Sequence, residues 1–319
     1  MVRSTSPMIT AIKSAVKNLP GVREIISERD KLHSELVALK KNLRFVPPGH
    51  FYSPIPSIDD ILRDESKVFG PVPHDIPGVD LRESDQLRLL EEFAQFYSEM
   101  PFQPQKTEGL RYYFENSAYS YSDAILLHCM IRYLRPKRII EVGSGFSSCM
   151  TLDTNELFFG NSIATTFIEP YPDLLMSLLK DTDKNNTRII SRRLQDTDIA
   201  VFETLGTNDI LFVDSSHVGK VNSDVNCIFF DILPVVAPGV HIHFHDIFYP
   251  FEYPKEWLLE GRAWNEAYML RTFLQYNNSF EVVMMNTYME YAHQSFFEEK
   301  MPFCLKNLGG SIWIRKASE

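Results

Sequence analysis

From residue 136 onward, short apolar runs alternate with stretches of helical spacing, and few folds accept that order. Residues 138–142 (RIIEV) read as a first strand and 146–159 as a helix. Further strands are expected at 162–168, 187–191, 209–213, 240–245, 280–286 and 311–315. Helices are expected at 171–180, from the fourth strand to about residue 236, and over 262–276. Strands joined by single helices need right-handed crossovers, and therefore a parallel sheet with helices on both faces. No long helical stretch separates the last two strands, so one of them is expected to run antiparallel. The expected fold class is α/β, with a doubly wound, mostly parallel, seven-stranded Rossmann-like sheet.

The chain before this core has a different character. Residues 1–45 read as helical, with neither Pro nor Gly between Arg23 and Leu43. Ile25, Leu32 and Leu39 recur every seven residues, and Leu36 and Leu43 share a second line. That is a short coiled-coil seam over 23–43, although Arg29 occupies the first slot of the second line. It implies a homo-oligomer; the plainer alternative is an amphipathic helix packed on its own domain. Residues 46–83 are rich in Pro, Gly and aromatics, and read as an ordered, extended segment wrapping a domain. The domain proper is expected over 84–319, with a helical lead-in at 84–135 in which Ser122 could cap the second helix.

Composition excludes several classes. The formal net charge of −10 disfavours a dedicated nucleic-acid binder, because phosphate neutralisation needs a basic face. No apolar run approaches the roughly 18 residues of a membrane span. The first twenty residues lack a continuous apolar core of a signal peptide, and the four cysteines are scattered. A reducing, cytoplasmic setting is expected.

The glycine turn RIIEVGSGFSS at 138–148 carries the chemistry. Gly143 and Gly145 sit where a buried strand turns into a helix. Glycine permits a positive φ and lets a ligand approach the backbone. The helix N-terminus beyond, at Ser147, offers free N–H groups. A nicotinamide fingerprint would need a third glycine at position 148, which is Ser148, so a dehydrogenase is disfavoured. Glu169, 24 residues after Gly145, ends the second strand, where a carboxylate can accept both hydroxyls of a ribose. Gln195 and Asp196 follow the third strand, where an adenine could be hydrogen-bonded.

The order EVGSG, FIEP, LQD, FVDSSH, APGVHIHFHD resembles the class I S-adenosylmethionine-dependent methyltransferases over roughly residues 110–316. Within them it is most similar to bacterial sugar O-methyltransferases, macrocin-type enzymes and cephalosporin-hydroxylase-like proteins. The resemblance implies that Gly143 and Gly145 line the methionine part of the cofactor, with Glu141 nearby. It also implies that Glu169 holds the ribose and that Gln195 and Asp196 lie near the adenine.

Asp214 ends the fourth strand, His217 follows three residues later, and His245 and Asp246 end the fifth. Neighbouring strands deliver both ends to one rim. Asp214, Asp246 and His245 could bind a divalent cation; oxygen ligands suit Mg²⁺ or Mn²⁺, and imidazole tilts towards a softer metal. His217 could act as general base beside Asp214. In metal-dependent sugar and catechol O-methyltransferases, acids occupy the positions resembling Asp214 and Asp246. In macrolide-sugar enzymes a histidine resembles His217. The chain departs from those relatives at His245, where some carry an acid, and at Ile247, where catechol enzymes carry an amide.

His241 and His243 share the strand face of His245 and read as hydrogen-bonded core residues rather than ligands. Asp224 reads as a surface acid. Tyr249, in a Pro-broken aromatic loop, and Trp264 and Glu266, at the start of the next helix, are candidate acceptor contacts. Tyr119, Tyr121 and Asp123 could cover the cofactor, and Tyr121 is a further candidate acceptor contact. The expected function is O-methylation of a sugar or other polyhydroxylated small molecule or glycan. The alternatives are an iron-dependent hydroxylase built on His217, His245 and an aspartate, and a non-catalytic scaffold.

Overall fold

Seven strands form one sheet in the order β3-β2-β1-β4-β5-β7-β6. They are β1 (Arg138–Val142), β2 (Ala164–Ile168), β3 (Thr187–Ile190), β4 (Ile210–Val213), β5 (His241–His245), β6 (Phe280–Met285) and β7 (Ser311–Lys316). The first five pair in parallel, and β7 runs antiparallel to both β5 and β6. The antiparallel strand follows from the linker: short helices at Asn286–Ala292 and Gln294–Lys300 replace a crossover helix. β4 is buried at every position, as a central parallel strand covered on both faces must be.

The computed structural model describes Val16, residues 19–42 and residues 45–317, and only the backbone of residues 39–42, 184 and 185. The side chain of Leu39 and all of Leu43, members of the expected seam, lie outside the described residues, as do residues 1–15. The chain divides into two units, one ending at Asp64 and one spanning Glu65–Glu319.

In the first unit, α1 (Pro20–Asn42) exposes the seam: Ile25 is 67%, Leu32 58% and Leu36 47% exposed. The segment expected to be extended contains a helix at Ile58–Arg63. Its cause is local. The Ser57 side chain accepts from Asp60 N at 3.3 Å, and Asp59 and Asp60 place negative charge in the first turn. A second short helix, Glu65–Val68, opens the other unit.

In that unit, α2 (Glu83–Ser98) and α3 (Tyr121–Leu134) form the lead-in. Ser120, not Ser122, is the residue at the α3 N-cap; Ser122 lies inside the helix, and its hydroxyl donates to buried Glu290. The helix α4 (Phe146–Phe159) packs against α3 and stops at Gly160, whose φ of +59° suits a C-cap. Buried Asp153 on α4 accepts from the backbone N–H of Arg111 at 2.8 Å and of Tyr112 at 2.7 Å. The Arg111 guanidinium is itself buried among Asp153, Glu156 and Asp183, so the lead-in is tied by paired charges to α4 and to the turn before β3.

Candidate active site

Sheet register assembles the site. Val142 pairs with Ile168 on one side and Val213 on the other, and Val213 pairs with Phe244. The next residues, Glu169, Gly143, Asp214 and His245, therefore lie along one carboxyl edge, with His245 still paired to Ser311 of β7. The chain's direction of winding reverses between β1 and β4, which is where open α/β sheets bind ligands. A cavity of about 560 Å³ opens there, lined by Gly143, Glu169, Gln195, Asp214, Ser216 and Asp224 among others.

Gly143 is required by geometry. Its φ is +76°, and an added Cβ would stand 2.1 Å from the Asp214 carbonyl oxygen. Its N–H donates to Ile168 O at 3.0 Å, while Asp214 N–H donates to Val142 O at 2.8 Å, so three strand ends are stitched together. Gly145 differs from expectation. Its φ is extended, and a Cβ there would meet only Leu174 at 3.6 Å. The positive-φ role falls to Gly143 alone.

Glu141 is fully buried beneath the turn. Its Oε1 accepts from the hydroxyls of Ser147 and Ser148, each at 2.7 Å, and its Oε2 has no hydrogen-bond partner. Burial pushes this carboxyl up to about 8. Ser147 thus faces Glu141 through its side chain. Glu169 and Gln195 both line the cavity, and Gln195 Nε2 donates to Asn222 O at 2.8 Å. Asp196 does not join them. Its side chain is 49% exposed and paired with Arg193 at 2.7 Å, because the 3-10 turn Leu194–Asp196 carries it back towards Arg193.

The second half of the site is a cluster of two imidazoles and two carboxylates. His217 Nε2 lies 3.4 Å from Asp214 Oδ1 and 3.4 Å from Asp246 Oδ2. His245 Nδ1 lies 3.6 Å from Oδ1 of both acids. Donor atoms of Asp214, His217 and Asp246 all fall within 4.8 Å of one another. Both His217 (φ +59°) and Asp246 (φ +56°) adopt left-handed backbone, a local strain common at functional sites. Burial opposes charging His217, but its hydrogen bonds to Asp214 and Glu266 outweigh that and push it up to about 10. Burial would raise Asp214, yet the two histidines hold it far below the usual carboxylate range.

Three consecutive residues clamp the His217 loop. The Trp264 ring centroid lies 4.4 Å from that of His217. The Asn265 side chain accepts from Gly219 N–H at 2.6 Å. Glu266 Oε2 lies 2.9 Å from His217 Nδ1 and accepts from Ser215 Oγ at 2.9 Å. Glu266 was expected to touch acceptor; instead it is buried and orients the histidine. The helix over Glu266–Leu274 begins at the last residue of this clamp, later than the spacing predicts.

Two other expected contacts lie elsewhere. Tyr121 stacks on Phe114 at 5.0 Å, with its hydroxyl towards Glu115, while Tyr119 provides the ring beside His245 at 5.2 Å. Tyr249 donates its hydroxyl to Pro73 O at 2.5 Å and lines a different cavity with Phe69, Val72 and Tyr253. His243 is a core residue as expected, but neither ring nitrogen has a hydrogen-bond partner; it is packed by Phe212 at 4.0 Å and Trp313 at 4.8 Å.

Asp224 was read as a surface acid. It accepts from Ser216 N–H at 2.7 Å and Ser216 Oγ at 2.6 Å and lines the cofactor-sized cavity. Its place at the start of a helix, eight residues beyond Ser216, was the available signal. Asp123, expected over a cofactor, stands behind His245 instead, with Oδ2 3.6 Å from Nε2.

Residues 140–247 match a family model described as a methyltransferase domain. An uncharacterized protein of Archaeoglobus fulgidus is 37% identical over 172 residues, covering 52% of this chain and 76% of that one. Among solved structures, an SAH-bound methyltransferase from Podospora anserina aligns with a TM-score of 0.41 at 13% identity, over 82% of this chain and 97% of that one. The O-methyltransferase TomG from Streptomyces achromogenes aligns with a TM-score of 0.40 at 14% identity, over 81% and 96%. With the methyltransferase domain matched across β1 to β5 and the sheet in the order described, the chain shares a family with the archaeal protein and belongs to the class I S-adenosylmethionine-dependent methyltransferases.

Proposed function

We propose that this protein is an O-methyltransferase acting on a hydroxyl of a sugar or other polyhydroxylated small molecule, with help from a divalent cation. The observation that carries this reading is the Glu266–His217 pair, aimed at Asp214 and Asp246 on the rim of the cofactor cavity.

The residues present fit both groups. A volume of about 560 Å³ suits a nucleoside-sized ligand, Glu169 offers a carboxylate for vicinal hydroxyls, and the unpartnered Glu141 Oε2 lies beneath the glycine turn. Two carboxylates face two imidazoles, a donor set that suits a dication. S-adenosylmethionine, when bound, supplies an electrophilic methyl carbon on a sulfonium. A cation between Asp214 and Asp246 would acidify a bound hydroxyl and offset the carboxylates that keep His217 protonated.

The chain's own residues then do the rest. Glu266 holds Nδ1 of His217 and leaves Nε2 to take the acceptor's proton as the new C–O bond forms and the C–S bond breaks. Trp264, with Trp257 at 5.2 Å and Tyr253 at 5.9 Å, makes an aromatic wall beside His217 that would exclude water and border a ring-shaped acceptor. Most of the rate would come from holding both reactants on this edge.

The test is a hydroxyl-acceptor screen with S-adenosylmethionine and added dications, followed by His217→Ala. Loss of about 10²–10⁴-fold in turnover with unchanged cofactor affinity supports the reading. Transfer at the parent rate removes His217 as the base. The exposed seam on α1 supports a second proposal, that two copies pair through residues 23–43.

A further inference from the structure

We propose that the rim selects a transition-metal dication of the Fe²⁺ or Co²⁺ kind over Mg²⁺, with His245 as a ligand and Asp123 as its positioning residue. This deepens the cation part of the reading above and is independent of which acceptor is methylated.

His245 Nδ1 is buried and has no hydrogen-bond partner. It faces Asp214 Oδ1 and Asp246 Oδ1 at 3.6 Å each, beyond hydrogen-bond reach but close enough for the three atoms to share one ion. His217 approaches the same two acids from 3.4 Å.

The far nitrogen of each ring points at a buried carboxylate. For His217 it is Glu266 at 2.9 Å, and for His245 it is Asp123 at 3.6 Å. Glu266 stands at hydrogen-bond distance, while Asp123 stands at ion-pair distance and draws the proton of His245 to Nε2; a carboxylate behind the ring in this way favours the tautomer that leaves the other nitrogen free to ligate. Asp123 is itself fixed from three sides. It accepts from Ser311 Oγ at 2.7 Å, Gly310 N–H at 3.0 Å and Asn286 Nδ2 at 2.9 Å. A carboxylate so anchored is well suited to aiming a ring.

Ligand chemistry then decides the ion. Mg²⁺ favours oxygen donors and keeps much of its water, whereas imidazole suits later first-row ions. Four carboxylates surround only two imidazoles here, so charge favours an added dication, which would take the place of a proton on His245 Nδ1 and release it to solvent. Asp214 is the member that opens onto the cofactor cavity, which leaves one side of an ion accessible.

The experiment uses the full chain after EDTA treatment, titrated calorimetrically with Mn²⁺, Co²⁺ and Mg²⁺ salts, without nucleotide. Imidazole favours Co²⁺ over Mg²⁺, so the diagnostic quantity is how the Co²⁺/Mg²⁺ affinity ratio depends on position 245. We expect a ratio of a hundredfold or more, reduced at least tenfold in His245→Asp. Asp123→Asn should weaken Co²⁺ about 10–100-fold. Pulsed electron paramagnetic resonance of the Mn²⁺-loaded parent should show imidazole nitrogen coupling that diminishes in His245→Asp. A ratio unchanged in that variant, or no nitrogen coupling in the parent, overturns the proposal. If the variant does not fold, as judged by melting in EDTA, the parent spectrum decides. A parallel S-adenosylmethionine titration separates the two failures: cofactor binding without nitrogen coupling sinks only the metal assignment.

Discussion

Glu266 Oε2 and His217 Nδ1 lie 2.9 Å apart although 49 residues separate them in the chain. The contact fixes which ring nitrogen faces the rim, and it exists because the segment before the Glu266–Leu274 helix docks on the His217 loop. The backbone N–H groups of Asn265 and Glu266 both donate to the His217 carbonyl, at 3.0 and 3.2 Å.

Replacing Glu266 by Gln keeps the shape and removes the charge that steadies His217. Turnover should fall about 10–100-fold while cofactor affinity stays within twofold. Steady-state kinetics beside a binding titration checks this. Equal losses in both quantities would mean that Glu266 shapes the cofactor cavity rather than the histidine.

Glu169 and Asp196 should part company. Glu169→Ala should weaken S-adenosylmethionine by about 1.5–3 kcal/mol, the value of hydrogen bonds to a charged group. Asp196→Ala should leave affinity unchanged, because its carboxylate is engaged by Arg193 and lies off the cavity wall. Calorimetry on both variants reads the contrast directly, and a large loss in Asp196→Ala would put the adenine where the sequence alone placed it.

The two glycines of the turn should also differ. Gly143→Ala forces a Cβ to within 2.1 Å of the Asp214 carbonyl at positive φ, so melting should drop by several degrees and cofactor binding should be lost. Gly145→Ala meets only Leu174 at 3.6 Å and should melt close to the parent.

Glu141 gives stability a sign with pH. Burial raises its carboxyl from the ordinary 4.5 to about 8, so between those values the folded chain holds a proton that the unfolded chain has released. Stability from this group is therefore lost as pH rises through that window. Glu290, also pushed up to about 8 by burial, acts in the same direction. Glu141→Gln should leave the melting temperature near that of the parent at pH 5 and raise it relative to the parent at pH 9. A difference that does not change with pH would show that Glu141 is ionised in the fold.

Much of the fold was legible because parallel strands buried on both faces read as continuous apolar runs. Residues 138–142 and 146–159 have the bounds that the pattern indicates. The carboxyl edge was legible for the same reason: strand ends locate Gly143, Glu169, Asp214 and His245 without any tertiary knowledge. The errors arose where side chains turn away from the edge through local pairing. Asp196 answers Arg193, Tyr249 answers Pro73, and Tyr121 stacks on Phe114. Asp224 and Asp123 were undervalued because their partners, Ser216 and His245, are brought to them by loop geometry and sheet order that no periodicity encodes.

The exposed seam of α1 predicts a mass change. Leu32→Asp with Leu36→Asp should lower the sedimentation mass towards one copy while cofactor affinity holds. An unchanged mass would assign that helix face to something other than a second copy.

The most direct test of the central claim is calorimetric titration of the parent protein with S-adenosylmethionine, with and without added Mn²⁺, repeated on Glu169→Ala. The account predicts micromolar binding at one site per chain, weakened at least tenfold by the substitution. No binding under either condition would contradict the assignment of the cavity at the β1–β4 edge as the cofactor site.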